Sequence, residues 1–210
     1  MAAQAQPRIL LITLDKVMPE IDEVFADLIH KFSKVAQLQR TRKPDASLRV
    51  LSENPKAVFL TDGALSKPKY ASLWDAVLEY ARNGGTCQPP DIKSFFAKAG
   101  LPWEMAGYHR TTVSLNRQGI PRDVTLALQP SYSQKAIFLK GVDPSLSWYN
   151  PTSDSTTQSM VFDPESVDTT TCPVAMANVG EGKLGYVGDV NGEQGSTLVV
   201  LAMSGLFSTA

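Results

Sequence analysis

AVFLTDGALSKPKYASLWDAVLEYARNGGTCQPP, residues 57–90, contains a strand, a turn, a helix and then a break. Residues 57–60 (AVFL) are an apolar run of strand length, suited to burial on both faces. In residues 70–82, Leu73, Trp74, Val77, Leu78 and Ala81 recur at intervals of three and four and share one helix face. Gly84 suits the helix's C-terminal stop. Another strand is due next, entering the middle of an α/β sheet. Only Thr86, Cys87 and Gln88 precede Pro89-Pro90, and proline cannot donate to a strand ladder. In many enzymes of this plan that strand carries a nucleophile on a sharp turn. This chain has room for almost no strand and no such turn.

Upstream, residues 8–14 (RILLITL) form a continuous apolar run between Pro7 and Asp15. Pro19 opens a helix whose stripe is Ile21, Val24, Phe25, Leu28, Ile29 and Phe32, with Glu20, Asp22 and Glu23 at its dipole-positive start. Residues 35–41 suit a second strand and 44–52 a second helix, with Leu48 and Leu51 inward. Strands alternating with helices over short links predict a parallel sheet with right-handed crossovers. Downstream, residues 91–99 read as a short helix, and 108–115, 124–128 and 136–139 as strands. Residues 145–168 read as a Ser/Thr/Pro/Asp-rich loop with one apolar island at 158–162. Residues 174–178 and 183–187 form a hairpin around Gly180-Glu181-Gly182. A last helix spans 195–206, with Ser196 suited to its N-cap. The fold class is therefore α/β: one parallel-sheet domain over residues 1–210, with a β-rich insertion at roughly 105–170 and a short or missing central strand after Gly85.

The chain has 210 residues, 43% hydrophobic and 20% charged, enough for one full core. A net charge of −1 and only 8% aromatic residues argue against nucleic-acid and membrane-surface binding. No apolar run reaches the ~18 residues of a membrane span. The start of the chain lacks the pattern of an export signal, so a cytoplasmic protein with free Cys87 and Cys172 is expected.

Three groups of residues could carry chemistry. Asp15, Asp62 and Asp189 each directly follow an apolar run (RILLITL-D, AVFLT-D, KLGYVG-D). In an open α/β sheet, ligands bind beyond the carboxyl ends of the strands. Carboxylates there can hold a cation or ligand hydroxyls, or can cap backbone N–H groups. Cys87 is a nucleophile candidate, but a catalytic thiol needs a base and an oxyanion hole. The chain has two histidines, His30 on the first helix and His109 at a strand start, and it lacks a G-x-C-x-G or G-x-S-x-G elbow. Finally, an exposed Trp103 with Glu104, His109 and Arg110 could line a sugar or carboxylate site. The alternative is a loop anchor beside a surface ion pair. Of the two glycine-rich pieces, 180–182 is a hairpin turn and not a dinucleotide fingerprint, and 188–196, whose N–H groups could receive an anion, lacks a lysine and is a weak phosphate signal. No cofactor and no metal is expected.

RILLITL, AVFLTDGAL, LWDAVLEYARNGGT, GLPWEMAGYHRTTVSLN and VAMANVGEGKLGYVGDVNGEQGSTLVVLAMSGL follow one another in an order that resembles the class I glutamine amidotransferase-like superfamily. Within it the chain looks like the ThuA-like branch associated with sugar utilisation. PWE…YHRTT, PSYSQKA, TQSMVF and GYVGDVN are similar to stretches of uncharacterised filamentous-fungal proteins of this fold. Those relatives have an apolar strand and a Gly/Phe/Ser loop after Gly-Gly-Thr, where this chain runs into Cys-Gln-Pro-Pro. The amidotransferase Cys, His and Glu have no matching positions here. The resemblance thus implies a three-layer, flavodoxin-like fold without glutamine hydrolysis.

Three functions are consistent with these readings. The first is a non-catalytic or degenerate domain binding a small polar ligand, such as a sugar, through Asp15, Asp62 and Asp189. The second is a hydrolase or isomerase acting on a sugar or amide through those carboxylates, with His109 as acid or base. The third is a protein-interaction scaffold. An unpaired strand edge would also allow a homodimer.

Overall fold

Thr86, Cys87 and Gln88 form a strand, and it lies in the interior of the sheet. The computed structural model describes residues 6–15, 18–88, 95–118 and 120–207. Its strands are β1 (Arg8–Ile12), β2 (Gln37–Thr41), β3 (Ala57–Leu60), β4 (Thr86–Gln88), β5 (Glu104–Leu115), β6 (Ser131–Lys140), β7 (Ser147–Asn150), β8 (Val174–Val179) and β9 (Gly182–Val187). Its helices are α1 (Met18–Val24), α2 (Ala26–Val35), α3 (Pro44–Ser52), α4 (Ala71–Arg82), α5 (Phe95–Lys98), α6 (Arg122–Ala127) and α7 (Gln194–Met203). The sheet order is β2-β1-β3-β4-β9-β8-β7-β5-β6. The first five positions are paired in parallel. They reproduce the doubly wound order 2-1-3-4-5, with β9 in the fifth place. The flavodoxin-like α/β arrangement expected from the sequence is thus the observed one. The β-rich excursion falls between β4 and β9.

Two compact units are distinguished, residues 1–91 with 178–184, and residues 92–177 with 185–210. In the first, Ile9, Leu10, Leu11 and Ile12 are all buried, as a strand covered on both faces requires. The helix read from Pro19 is two helices, α1 and α2, separated at Phe25. Ile21 and Phe32 of its stripe are buried, while Val24 is exposed. Phe32 meets Phe59 of β3 edge-on at 4.9 Å. α4 buries Leu73, Trp74, Val77, Leu78 and Ala81. It ends in a paired cap in which Gly84 N–H donates to Ala81 O and Gly85 N–H to Tyr80 O. Gly84 has φ +101°, the left-handed conformation that this cap demands. The cap delivers the chain into β4. There Val58 faces Cys87 and Phe59 faces Gln88 on one side, with Thr86 facing Lys183 and Cys87 facing Leu184 on the other.

In the second unit β5, β6 and β7 are antiparallel. The expected strand at 124–128 is instead the helix α6. Val124 and Leu128, four positions apart, both pack on the core, while Leu126 between them is exposed. That is helical spacing. The loop at 145–168 contains β7, whose Trp148 and Tyr149 join the core with Tyr132, Phe138 and Val199. Of the helix expected at 91–99, α5 is present; residues 91–94 lie outside the described residues. The outer edge of β6 is covered by bridges from Ala136 to Asp189 and from Leu139 to Cys172. No helix among the described residues is long and apolar enough to cross a membrane.

Candidate functional site

In the order 2-1-3-4-5 the chain reverses direction across the sheet between β1 and β3, and the crevice beyond their carboxyl ends is where such folds hold ligands. Two threonines meet there, Thr13 Oγ1 and Thr61 Oγ1, at 2.6 Å. Asp62 follows β3 and is 5% exposed. Its Oδ2 accepts from Leu14 N–H (2.8 Å) and Asp15 N–H (2.9 Å), and its Oδ1 from Ala64 N–H (3.1 Å). Asp62 thus fastens the end of β1 to the end of β3.

Asp15 is exposed. Two 3-10 turns, Gly63–Ser66 and Pro68–Tyr70, fold the chain back over it. Lys67 Nζ lies 2.5 Å from Oδ2, while Tyr70 Oη (2.7 Å) and Lys69 Nζ (3.2 Å) donate to Oδ1. The Lys67 ammonium, then the Tyr70 hydroxyl, hold this carboxyl well below the usual carboxylate range. Lys69 also sits 4.6 Å above the Tyr70 ring. Sequence reasoning found Asp15 and Asp62 but missed Lys67, Lys69 and Tyr70. The available signal was the K-P-K-Y run in the loop directly after a strand-end aspartate.

The other expected residues serve different ends. Asp189, 8% exposed, accepts from Asn191 N–H (2.8 Å) and Glu193 N–H (2.7 Å) within its own turn. Glu193, not Ser196, takes the N-cap position of α7. Ser196 is buried, with Oγ 3.3 Å from Tyr132 Oη and 3.4 Å from Gln134 Oε1. Glu193 pairs with Arg110 at 2.5 Å. Trp103, expected to be exposed, is buried with its ring 5.0 Å from that of Phe96; it anchors a loop in the core. Glu104 pairs with Lys140 at 3.1 Å, directly across β5 and β6.

Cys87, the nucleophile candidate, has no access to solvent. It is fully buried in β4, and burial pushes its pKa far above the ordinary range. Burial also raises the Cys172 thiol, to about 12. Protonated thiols are poor nucleophiles. No cluster of His, Cys, Asp or Glu among the described residues could hold a metal ion. A groove of about 450 Å³ lies at the opposite, amino ends of the strands, lined by Arg8, Pro55, Lys56, Asn83, Gly84 and Thr86 among others.

His109 stacks on Phe138 with ring centroids 4.1 Å apart, and its Nε2 is buried without a hydrogen-bond partner. Burial lowers its pKa below 6.5, so the folded chain holds it neutral. Its contribution to stability is complete above that value. It is lost as pH falls through the folded pKa, because the unfolded chain takes the proton first. The thermal midpoint should therefore drop between pH 7.5 and pH 5, and the drop should be smaller in His109→Phe. An unchanged pH slope in that variant would assign the drop to other groups.

No family model matches the sequence, and no curated protein does. Solved structures do match. A ThuA-like protein from Bacteroides uniformis superposes with a TM-score of 0.63 at 13% identity, over 97% of this chain and 92% of its own. A GMP synthase component from Thermoplasma acidophilum gives 0.54 at 10% identity, over 97% and 95%. The fold is glutamine amidotransferase-like. A β-galactosidase from Halorubrum lacusprofundi gives 0.59 at 14% identity, over 97% of this chain but 31% of that one. The same amidotransferase-like fold thus occurs inside a much longer chain.

Proposed function

We propose that this amidotransferase-like domain binds a small polar ligand at the carboxyl ends of β1 and β3 and performs no amide hydrolysis there. The observation carrying this reading is the cluster of exposed Asp15, Lys67 and Lys69 with half-buried Tyr70 at the point where the strand order reverses. Each ammonium has three donors and spends one on Asp15, so both have donors to offer a ligand's oxygens. A sugar or a small carboxylate fits that chemistry, and a sugar would agree with the ThuA-like resemblance. Binding is favoured over catalysis because Asp62 and Asp189 spend their oxygens on backbone N–H groups. The thiol of Cys87 is buried and protonated.

A thermal-shift screen of sugars and small carboxylates tests this on wild type, Asp15→Asn and Lys67→Ala. A ligand at 100 times its Kd adds about 2.7 kcal/mol, a shift of several degrees. The expected result is a shift in wild type that both variants lose while keeping a cooperative melt. No wild-type shift with any compound, or a shift that both variants retain, would sink the reading.

A further inference from the structure

Met160, Val161 and Phe162 are 104%, 82% and 77% exposed, three large apolar side chains in succession. Their loop is built to display them. At its base Thr157 N–H donates to Glu165 O (2.8 Å), Glu165 N–H to Thr157 Oγ1 (2.9 Å), and Val167 N–H to Ser155 O (3.2 Å). Gln158 N–H donates to Arg110 O and Ser155 Oγ to Thr112 O, which ties the base to β5. At the tip, Ser159 Oγ accepts from both Val161 N–H and Phe162 N–H at 3.1 Å. A rigid, contiguous apolar tip of this kind marks an interaction surface.

Charge narrows the choice of partner. Residues 141–177 of the second unit contain five acids (Asp143, Asp154, Asp163, Glu165 and Asp168) and no Lys or Arg, and Asp163 and Glu165 directly follow the tip in sequence. The chain has 21 acids and 20 bases in all, which leaves 16 acids against 20 bases elsewhere. An acidic rim disfavours an anionic membrane surface. It also disfavours two tips meeting each other. The complementary surface is on the chain itself. In the first unit β2 ends the sheet, and exposed Lys34, Arg42 and Lys43 flank it in sequence. Among the described residues of that unit, Val24 and Val35, on the two helices just before β2, are the exposed large apolar side chains.

We propose that the chain self-associates by docking the Met160–Val161–Phe162 tip of one copy against the basic α2–β2 edge of a second copy. Apolar contact supplies the affinity, and the acidic rim on the basic edge selects the partner. Light scattering after gel filtration, at about 100 μM protein and low salt, is the test. Wild type should exceed the 22.8 kDa of one chain. Met160→Ser/Val161→Ser/Phe162→Ser should associate at least about tenfold more weakly with an unchanged melting midpoint, since it alters only exposed side chains. Asp163→Lys/Glu165→Lys and Arg42→Glu/Lys43→Glu should each weaken association, and an equimolar mixture of the two variants should recover it. A monomeric wild type would overturn the proposal, whether or not the protein then binds vesicles. Undiminished association of the triple variant, or no recovery in the mixture, would also overturn it.

Discussion

Gly182→Ala should lower the thermal midpoint by roughly 6–12 °C, the loss expected for about 3 kcal/mol in a chain of this size. Gly182 opens β9, directly after the turn that joins it to β8. A Cβ at this position would lie 2.1 Å from Ala81 O and 2.3 Å from Gly85 O. Both are backbone oxygens, so no side chain can swing aside to relieve the overlap. One belongs to the last turn of α4 and the other precedes β4, which pairs with β9 through Thr86 and Cys87. Relief requires β9 to move away from β4, at the expense of those few pairs. Gly84→Ala is an informative comparison. Nothing lies within 4 Å of its added Cβ, and only the positive φ opposes it. The cost should then be about 1 kcal/mol. Similar losses for the two variants would show that the close approach at Gly182 has been overstated.

Asp62→Ala should cost about 3–5 kcal/mol, read as a fall in the urea midpoint at unchanged slope. The substitution strands three backbone N–H groups, that of Ala64 in a buried setting and those of Leu14 and Asp15 in a part-buried one. Each unsatisfied donor costs about 1–3 kcal/mol unless water reaches it. Asp62→Asn should recover part of the loss but not all. An amide keeps one acceptor oxygen and turns a donor toward the remaining N–H. A loss below about 1 kcal/mol for the alanine variant would mean that water replaces the carboxylate. For this reason Asp15, not Asp62, is the position at which to separate ligand binding from folding.

The first half of the fold was legible because its signals are long and redundant. RILLITL and AVFL are unbroken apolar runs, and α4 repeats its pattern over three turns. Residues 124–128 are too few to separate a period of 2 from one of 3.6, and only the exposure of Leu126 decides between them. Trp103 could not be placed because Phe96, the ring that buries it, belongs to a separate element. The strand-end aspartates were legible as positions but not as roles. Asp15 and Asp62 stand in equivalent places, yet one gathers side-chain donors and the other backbone donors. The difference lies in two 3-10 turns that have no periodic signature.

The brevity of β4 bears on how this chain can change length over evolutionary time. A ten-residue strand such as β6 can absorb a bulge, and surface loops tolerate insertions readily. β4 has two register pairs on each side and no others. Inserting or deleting one residue between Gly85 and Gln88 would reverse the face of every strand residue after the change, with no further pairs to restore the register. A one-residue change of length is therefore far better accommodated in the excursion between β4 and β9 than in the three residues at the centre of the sheet.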